Sequence, residues 1–268
     1  MAAPPPIRLL PVCNWPGGLP IPGPTAATPA VGTLPLPRPK IPQIEGTGNF
    51  FRVFSVSYRV REAILETAQR CFLQQGFRAT TMDQVAETLG ISKKTLYEHF
   101  PSKEALFEAC SDAFLKKVAQ DFETLRQAHP DQVLLRISAI ASYVYSLLNR
   151  INPVLFTEVR RLLPHSRVRI VAHIQDLVHT HLTRTLQEGK AQGLFRPDLP
   201  SEAFLVRWVS YVMLNVVLNP TFAEETGYSV AESYAETLFL LLYSFCTEKG
   251  RTQLEAYRTY LRSPYEKK

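Results

Sequence analysis

Thr80-Thr81-Met82-Asp83-Gln84-Val85-Ala86-Glu87-Thr88-Leu89-Gly90-Ile91-Ser92-Lys93-Lys94-Thr95-Leu96-Tyr97-Glu98-His99-Phe100 reads as two short helices and the turn between them. Thr81 followed three residues later by Gln84 is a capping-box pattern, so a helix is expected from Met82. Val85, Ala86 and Leu89 give that helix one apolar face. Gly90 stops it, because a left-handed backbone conformation is cheap only for glycine. Ser92 then caps a second helix, in which Leu96 and Phe100 point inward at i, i+4 spacing.

Two short helices joined by a tight turn containing Gly form a helix-turn-helix. The second helix of such a pair enters the major groove, and its N-terminal residues reach the base edges. Here those residues are Ser92, Lys93, Lys94 and Thr95, with no carboxylate among them. Lys93 and Tyr97 share the exposed face one turn apart. Eight carboxylates stand against nine Lys and Arg over residues 57–117, so the affinity must come from where the charges are placed. Pro101-Ser102-Lys103-Glu104 opens the next helix with Ser102 as N-cap. The free N–H groups and dipole at that end suit a phosphate, with Lys103 alongside. Each feature alone is ordinary in a small helical bundle; their conjunction favours DNA binding.

Outward from this stretch, the periodicity predicts an all-α chain. Helices are expected at about 58–75, 82–89, 93–99, 103–128, 131–150, 153–163, 166–192, 201–219, 230–249 and 251–261. The first four are short or carefully capped, and the later ones are long and apolar. This division predicts a boundary near residues 115–120, between a unit of short capped helices over 57–117 and a longer helical part over 118–262. Residues 1–48 hold 13 of the 21 prolines and six of the 12 glycines, which suits a disordered tail, a polyproline docking arm or a start assigned too far upstream.

The formal charge of +6 is compatible with nucleic acid without arguing for it. Cys13, Cys71, Cys110 and Cys246 have neither zinc-ligand nor disulfide-framework spacing, which suits a reducing compartment. The N-terminus lacks a secretory h-region, and the most apolar stretch, 203–218, is too short to span a bilayer. A cytoplasmic protein without membrane association is expected.

Thirteen of the 16 residues in 203–218 are apolar or aromatic, and nine of the 12 in 235–246. Helices apolar on nearly all faces must be covered on more than one side. They fit either a four-helix interface between two copies, through 201–219 and 230–249, or the central core of a monomer.

Ile64-Leu65-Glu66-Thr67-Ala68, Phe72, Gly76-Phe77, Ala79-Thr80-Thr81, Val85-Ala86, Leu89-Gly90-Ile91-Ser92-Lys93, Thr95-Leu96-Tyr97, His99-Phe100, Lys103 and Leu106 together resemble the DNA-binding domain of the TetR/AcrR family of bacterial regulators. The resemblance covers residues 57–117. It implies a three-helix DNA-binding domain over 57–117, a C-terminal helical ligand-binding and dimerisation domain over 118–262, and a homodimer bound to a pseudo-palindromic double-stranded operator and released by a small-molecule inducer. It also implies that Thr80, Thr81, Tyr97, His99 and Lys103 hold phosphates while Ser92 to Thr95 face bases. Lys94 departs from the pattern, since many relatives carry Gly there.

Candidate pocket residues are Tyr143, Tyr145, Phe156, Arg160, His173, Trp208 and Tyr211, because aromatic walls with a few polar groups line most small-molecule sites; core packing is the alternative for each. A metal site among His165, His173, His179 and His181 is not expected, since His179 and His181 lie on different sides of a helix. The chain carries none of the catalytic motifs GxSxG, GxxxxGK[ST], GxGxxG or HExxH, so neither an enzyme nor a cofactor is expected. The expectation is a sequence-specific regulator, a repressor released by a ligand. The alternatives are a ligand-independent architectural protein with a filled core, and a small-molecule carrier that does not bind DNA.

Overall fold

The computed structural model describes residues 49–258, with side chains from Tyr58 onward except at Pro220 and Glu224. The 1–48 tail and the last residues of the expected C-terminal domain lie outside the described residues. The helices are α1 (Asn49–Gln75), α2 (Met82–Leu89), α3 (Lys93–His99), α4 (Lys103–Ala128), α5 (Val133–Leu148), α6 (Pro153–Leu162), α7 (Pro164–Ala191), α8 (Glu202–Leu218), α9 (Pro220–Thr226), α10 (Val230–Phe245) and α11 (Glu248–Ala256). No strand forms among the described residues; there is one isolated antiparallel bridge, Phe195 to Cys246. The chain is all-α, with the helix-turn-helix at α2 and α3.

Several boundaries differ from expectation, among them α10, which ends at Phe245 rather than 249, and α11, which begins at Glu248 rather than 251. α1 begins at Asn49 rather than near residue 58, since no proline or glycine interrupts 49–58. α7 starts at Pro164, two residues early, because proline is favoured in the first turn of a helix. α9 was not expected, because seven residues show less than two turns of periodicity.

The caps carry most of the local logic. Thr81 Oγ1 accepts from Gln84 N at 3.1 Å, as the sequence predicts. The return bond does not form: the Gln84 amide donates to Gln75 Oε1 at 3.0 Å, tying α2 to the end of α1. The complete capping box is at Ser229 and Glu232, opening α10. Gly90 has φ +68°, which lets Ile91 N reach Ala86 O at 3.0 Å and ends α2.

Two apolar clusters fill the molecule. One joins Ile64 and Phe72 of α1, Val85 and Leu89 of α2, Leu96 of α3, and Leu106 and Phe107 of α4. Phe72, Phe77 and Phe107 pack there with ring centroids 5.2–5.9 Å apart. The other runs through α5, α8, α10 and the loop at Leu194 and Phe195. α6 belongs to both, with Leu155 and Val159 in the first and Phe156 in the second. α4 also runs unbroken across the expected 117/118 division. Arg136, buried in α5, pairs with Glu188 of α7 and donates to Pro130 O at 3.0 Å. Burial alone would raise the Glu188 carboxyl, but bonds from Arg184 and Arg136 outweigh it and hold its pKa below the usual range.

Candidate nucleic-acid interface and buried cavity

The N-terminal end of α3 projects from the first cluster, held by Leu96 underneath. Ser92 Oγ accepts from Thr95 N at 3.0 Å and lies 2.9 Å from Thr95 Oγ1. Ser92, Lys93, Lys94 and Tyr97 are exposed, while Thr95 and His99 are half-buried. Lys93 Nζ donates to Asp83 Oδ2 of α2 at 2.6 Å, which raises the lysine pKa and keeps it charged. Both side chains are well exposed, so a phosphate or base can compete for Lys93 at little cost. Lys94 is the freest cation of the group, its Nζ 4.0 Å from Glu98. Arg61 lies over the Phe100 ring at 5.1 Å, adding a cation that sequence reasoning passed over.

Two expected phosphate contacts are otherwise engaged. Thr80 is buried, and its hydroxyl donates to Gly76 O at 2.8 Å. Lys103 Nζ donates to Phe77 O at 2.9 Å and Thr80 O at 3.0 Å, and lies 4.3 Å from the centroid of the Phe77 ring. Both serve the α1–α2 turn, whose carbonyls need partners once the turn packs inside. Thr81 remains exposed as the N-cap of α2.

The same turn is gripped from the other side by α6. The buried Glu158 carboxylate accepts from Phe77 N at 2.5 Å and Arg78 N at 3.3 Å. A Cβ on Gly76, which has φ +89°, would meet Glu158 Oε2 at 2.6 Å, so the close approach requires glycine. Asn152 adds its own N–H to Leu73 O at 2.7 Å and its side-chain amide to Gln74 O at 3.0 Å. Sequence reading missed this clasp, since nothing local marks a carboxylate some 80 residues away.

Behind the clasp is a cavity of about 340 Å³. Its wall takes Phe72 from α1, Cys110 from α4, Leu155 and Phe156 from α6, and apolar stripes from α5, α7, α8 and α10. On α7 the stripe is Ile170, Ile174, Leu177, Val178, His181, Leu182 and Thr185, the spacing of one helical face. No Asp, Glu, Lys or Arg lines it.

Of the seven pocket candidates only Phe156 is in this wall. The Tyr143 hydroxyl donates to Asp121 Oδ2 at 2.7 Å, and Tyr145 packs on the second cluster. Arg160 donates to Asn219 Oδ1 at 3.1 Å, linking α6 to the end of α8. His173 is exposed beside Arg169 O. Trp208 and Tyr211 are exposed on α8 together with Phe204, at i, i+4, i+7 spacing that forms one outward face. The expectation favoured aromatic and polar residues, whereas the wall is mostly aliphatic. The facing stripes were readable in the sequence, but the space between them was not.

Among the described residues, no cluster of His, Cys, Asp and Glu is placed to hold a metal, and no helix is long and apolar enough to cross a membrane. Cys71, Cys110 and Cys246 are buried, and burial raises all three thiol pKa values, that of Cys246 to about 11.

The family model for bacterial regulatory proteins of the tetR family matches residues 64–110. The HTH-type transcriptional repressor AcnR of Corynebacterium diphtheriae is 30% identical over 140 residues, spanning 52% of this chain and 70% of its own. The HTH-type regulator YhgD of Bacillus subtilis is 24% identical over 155 residues, 58% of this chain and 81% of its own. A TetR-family regulator from Marinobacter aquaeolei shares the fold, with a TM-score of 0.59 at 19% identity over 76% of this chain and 98% of that one. The chain belongs to the TetR family, and it is a DNA-binding transcriptional regulator.

Proposed function

We propose that this regulator is a homodimeric repressor that leaves an inverted-repeat operator when a small apolar or amphipathic molecule enters the cavity. The cavity carries the reading: about 340 Å³ of space walled by helices of both clusters, where an architectural protein would have a filled core. α6 lines that space with Leu155, Phe156 and Val159, and also grips the α1–α2 turn through Glu158 and Asn152. An occupant that shifts α6 shifts the base of the DNA-binding unit with it. Only a difference in ligand affinity between the two states can drive release.

Ser92, Lys93, Lys94 and Thr95 face the bases, and Thr81, Tyr97 and His99 the flanking phosphates. Thr80 and Lys103 act indirectly, by fixing the turn that carries Thr81. The second copy docks on α8 and α10, where Phe204, Trp208, Tyr211, Leu240 and Tyr243 are exposed. Aromatic anchors of this kind dominate interface energetics. Two-fold symmetry then sets two recognition helices about 34–36 Å apart, or somewhat more, on successive major grooves.

The test is an operator complex of the full chain challenged with an organic extract of cells. The extract should dissolve the wild-type complex and leave that of Ile140→Trp, in which the cavity is filled, intact, with thermal melts confirming that the variant folds. Equal release of both, or of neither, would contradict the reading.

A further inference from the structure

The wall of the cavity restricts its occupant more narrowly than size does. A cavity of roughly 150 Å³ takes one benzene, so the space here suits about 12–14 non-hydrogen atoms. With no Asp, Glu, Lys or Arg in the wall, an ammonium would lose its water without gaining a counter-charge, and a carboxylate would gain one only by protonating His181, which burial opposes. The polar side chains present are few, and most are committed or sealed. Ser111 and Ser210 donate to carbonyls of their own helices, at 2.9 Å to Phe107 O and 2.7 Å to Val206 O. Burial raises the Tyr234 phenol and keeps it neutral. The Gln69 amide nitrogen is buried without a partner at the α1 end.

α7 differs, because His181 and Thr185 lie one turn apart on its cavity face, and neither side chain has a hydrogen-bond partner among the described residues. The His181 ring packs edge-on to Phe122 at 5.5 Å, which fixes its plane. Burial lowers its pKa, with Glu123 opposing and Arg126 and Arg136 reinforcing, so the ring is neutral and can both accept and donate.

We propose that the cavity takes an uncharged, hydrocarbon-rich molecule bearing one hydroxyl or carbonyl group, and that His181, with Thr185 beside it, holds that group. The proposal deepens the ligand-release reading and rests on the same cavity.

Four probes of matched chain length test it on the full-length protein near neutral pH: 1-decanol, decanoate, decylammonium and 1-chlorodecane. Decanol should raise the melting temperature and bind at least about tenfold more tightly than either ion. His181→Leu should weaken decanol about two- to tenfold and leave 1-chlorodecane, which lacks a hydroxyl, unchanged. A general loss of structure would lower both, so the ratio isolates the hydrogen bond. Decanoate or decylammonium binding as well as decanol, a His181→Leu variant that alters both neutral probes equally or neither, or no binding by any probe would each overturn the proposal. If decanol binds as stated and the operator complex survives, the proposal stands and ligand release falls. If decanoate binds and dissolves that complex, release stands and the proposal falls.

Discussion

Around the α1–α2 turn, polar side chains are spent on backbone groups: Thr80 on Gly76, Lys103 on Phe77 and Thr80, Glu158 on Phe77 and Arg78. Between α5, α7, α8 and α10 the walls of the cavity make few such commitments. The buried rings of Phe72, Phe77 and Phe107 meet at centroid distances of 5.2–5.9 Å in the first region, whereas about 340 Å³ stays free beside the second. A close-packed interior holds one geometry, and an interior with space can hold a guest. On the proposed function, this contrast lets one chain present a fixed DNA-reading surface and still respond to a small molecule.

The largest effect that sharpens this contrast is Phe77→Ala. It removes a buried ring from the aromatic group and the surface on which Lys103 rests, and should cost about 3–5 kcal/mol in urea unfolding. A cost below about 1 kcal/mol would mean that this interior is not close-packed. A matched pair goes further. Ala68, fully buried in α1 and outside the cavity wall, should lose about 1–3 kcal/mol on change to Leu, while Ala141→Leu extends into the cavity and should stay within about 1 kcal/mol of wild type. Similar losses at both positions would erase the distinction.

Glu158→Ala leaves two N–H groups of the turn without their acceptor and should cost about 1–3 kcal/mol. It should also weaken operator binding, whereas a loss of stability with DNA affinity unchanged would separate the clasp from the DNA face. Lys94→Ala should leave the melt within about 0.5 kcal/mol. Its effect belongs to recognition, with about 1–3 kcal/mol of discrimination lost at one base pair and little change on random duplex. Equal losses on both duplexes would make Lys94 a phosphate contact.

The smallest effect is with pH. Burial lowers the pKa of His129 and His181 below the ordinary 6.5 of the unfolded chain. The unfolded state therefore takes up protons first as pH falls. Stability should be full above about pH 6.5 and decline as pH drops from there towards the lowered folded values. His181→Leu should flatten that decline in urea midpoints, and an unchanged slope would show that the ring is not held neutral.

The helix-turn-helix is legible in the sequence because its signals are local. Thr81, Gly90, Ser92 and Ser102 each act within a few residues of their own position, and all four cap or stop helices where the spacing places them. Gln84 marks the limit, since its partner, Gln75, belongs to another helix. The resemblance implies phosphate contacts at Thr80 and Lys103, yet the Thr80 hydroxyl is buried on Gly76 O and Lys103 is bonded to the α1–α2 turn, partners across a tertiary contact that leave no trace in spacing. The cavity was hidden for the same reason. Ile170, Ile174 and Leu177 announce an apolar face, but only the separation of facing helices decides whether it touches its neighbour or encloses space. Trp208 and Tyr211, offered as pocket residues for their chemistry, instead point out of α8.

On the proposed function, α3 of a symmetric dimer reads a specific sequence. Selection of binding sites by the full chain from random duplex DNA, at physiological salt, tests it most directly. The expected result is recovery of an inverted repeat whose half-sites lie about one helical turn or somewhat more apart. Binding that is blind to sequence and collapses with added salt would contradict it.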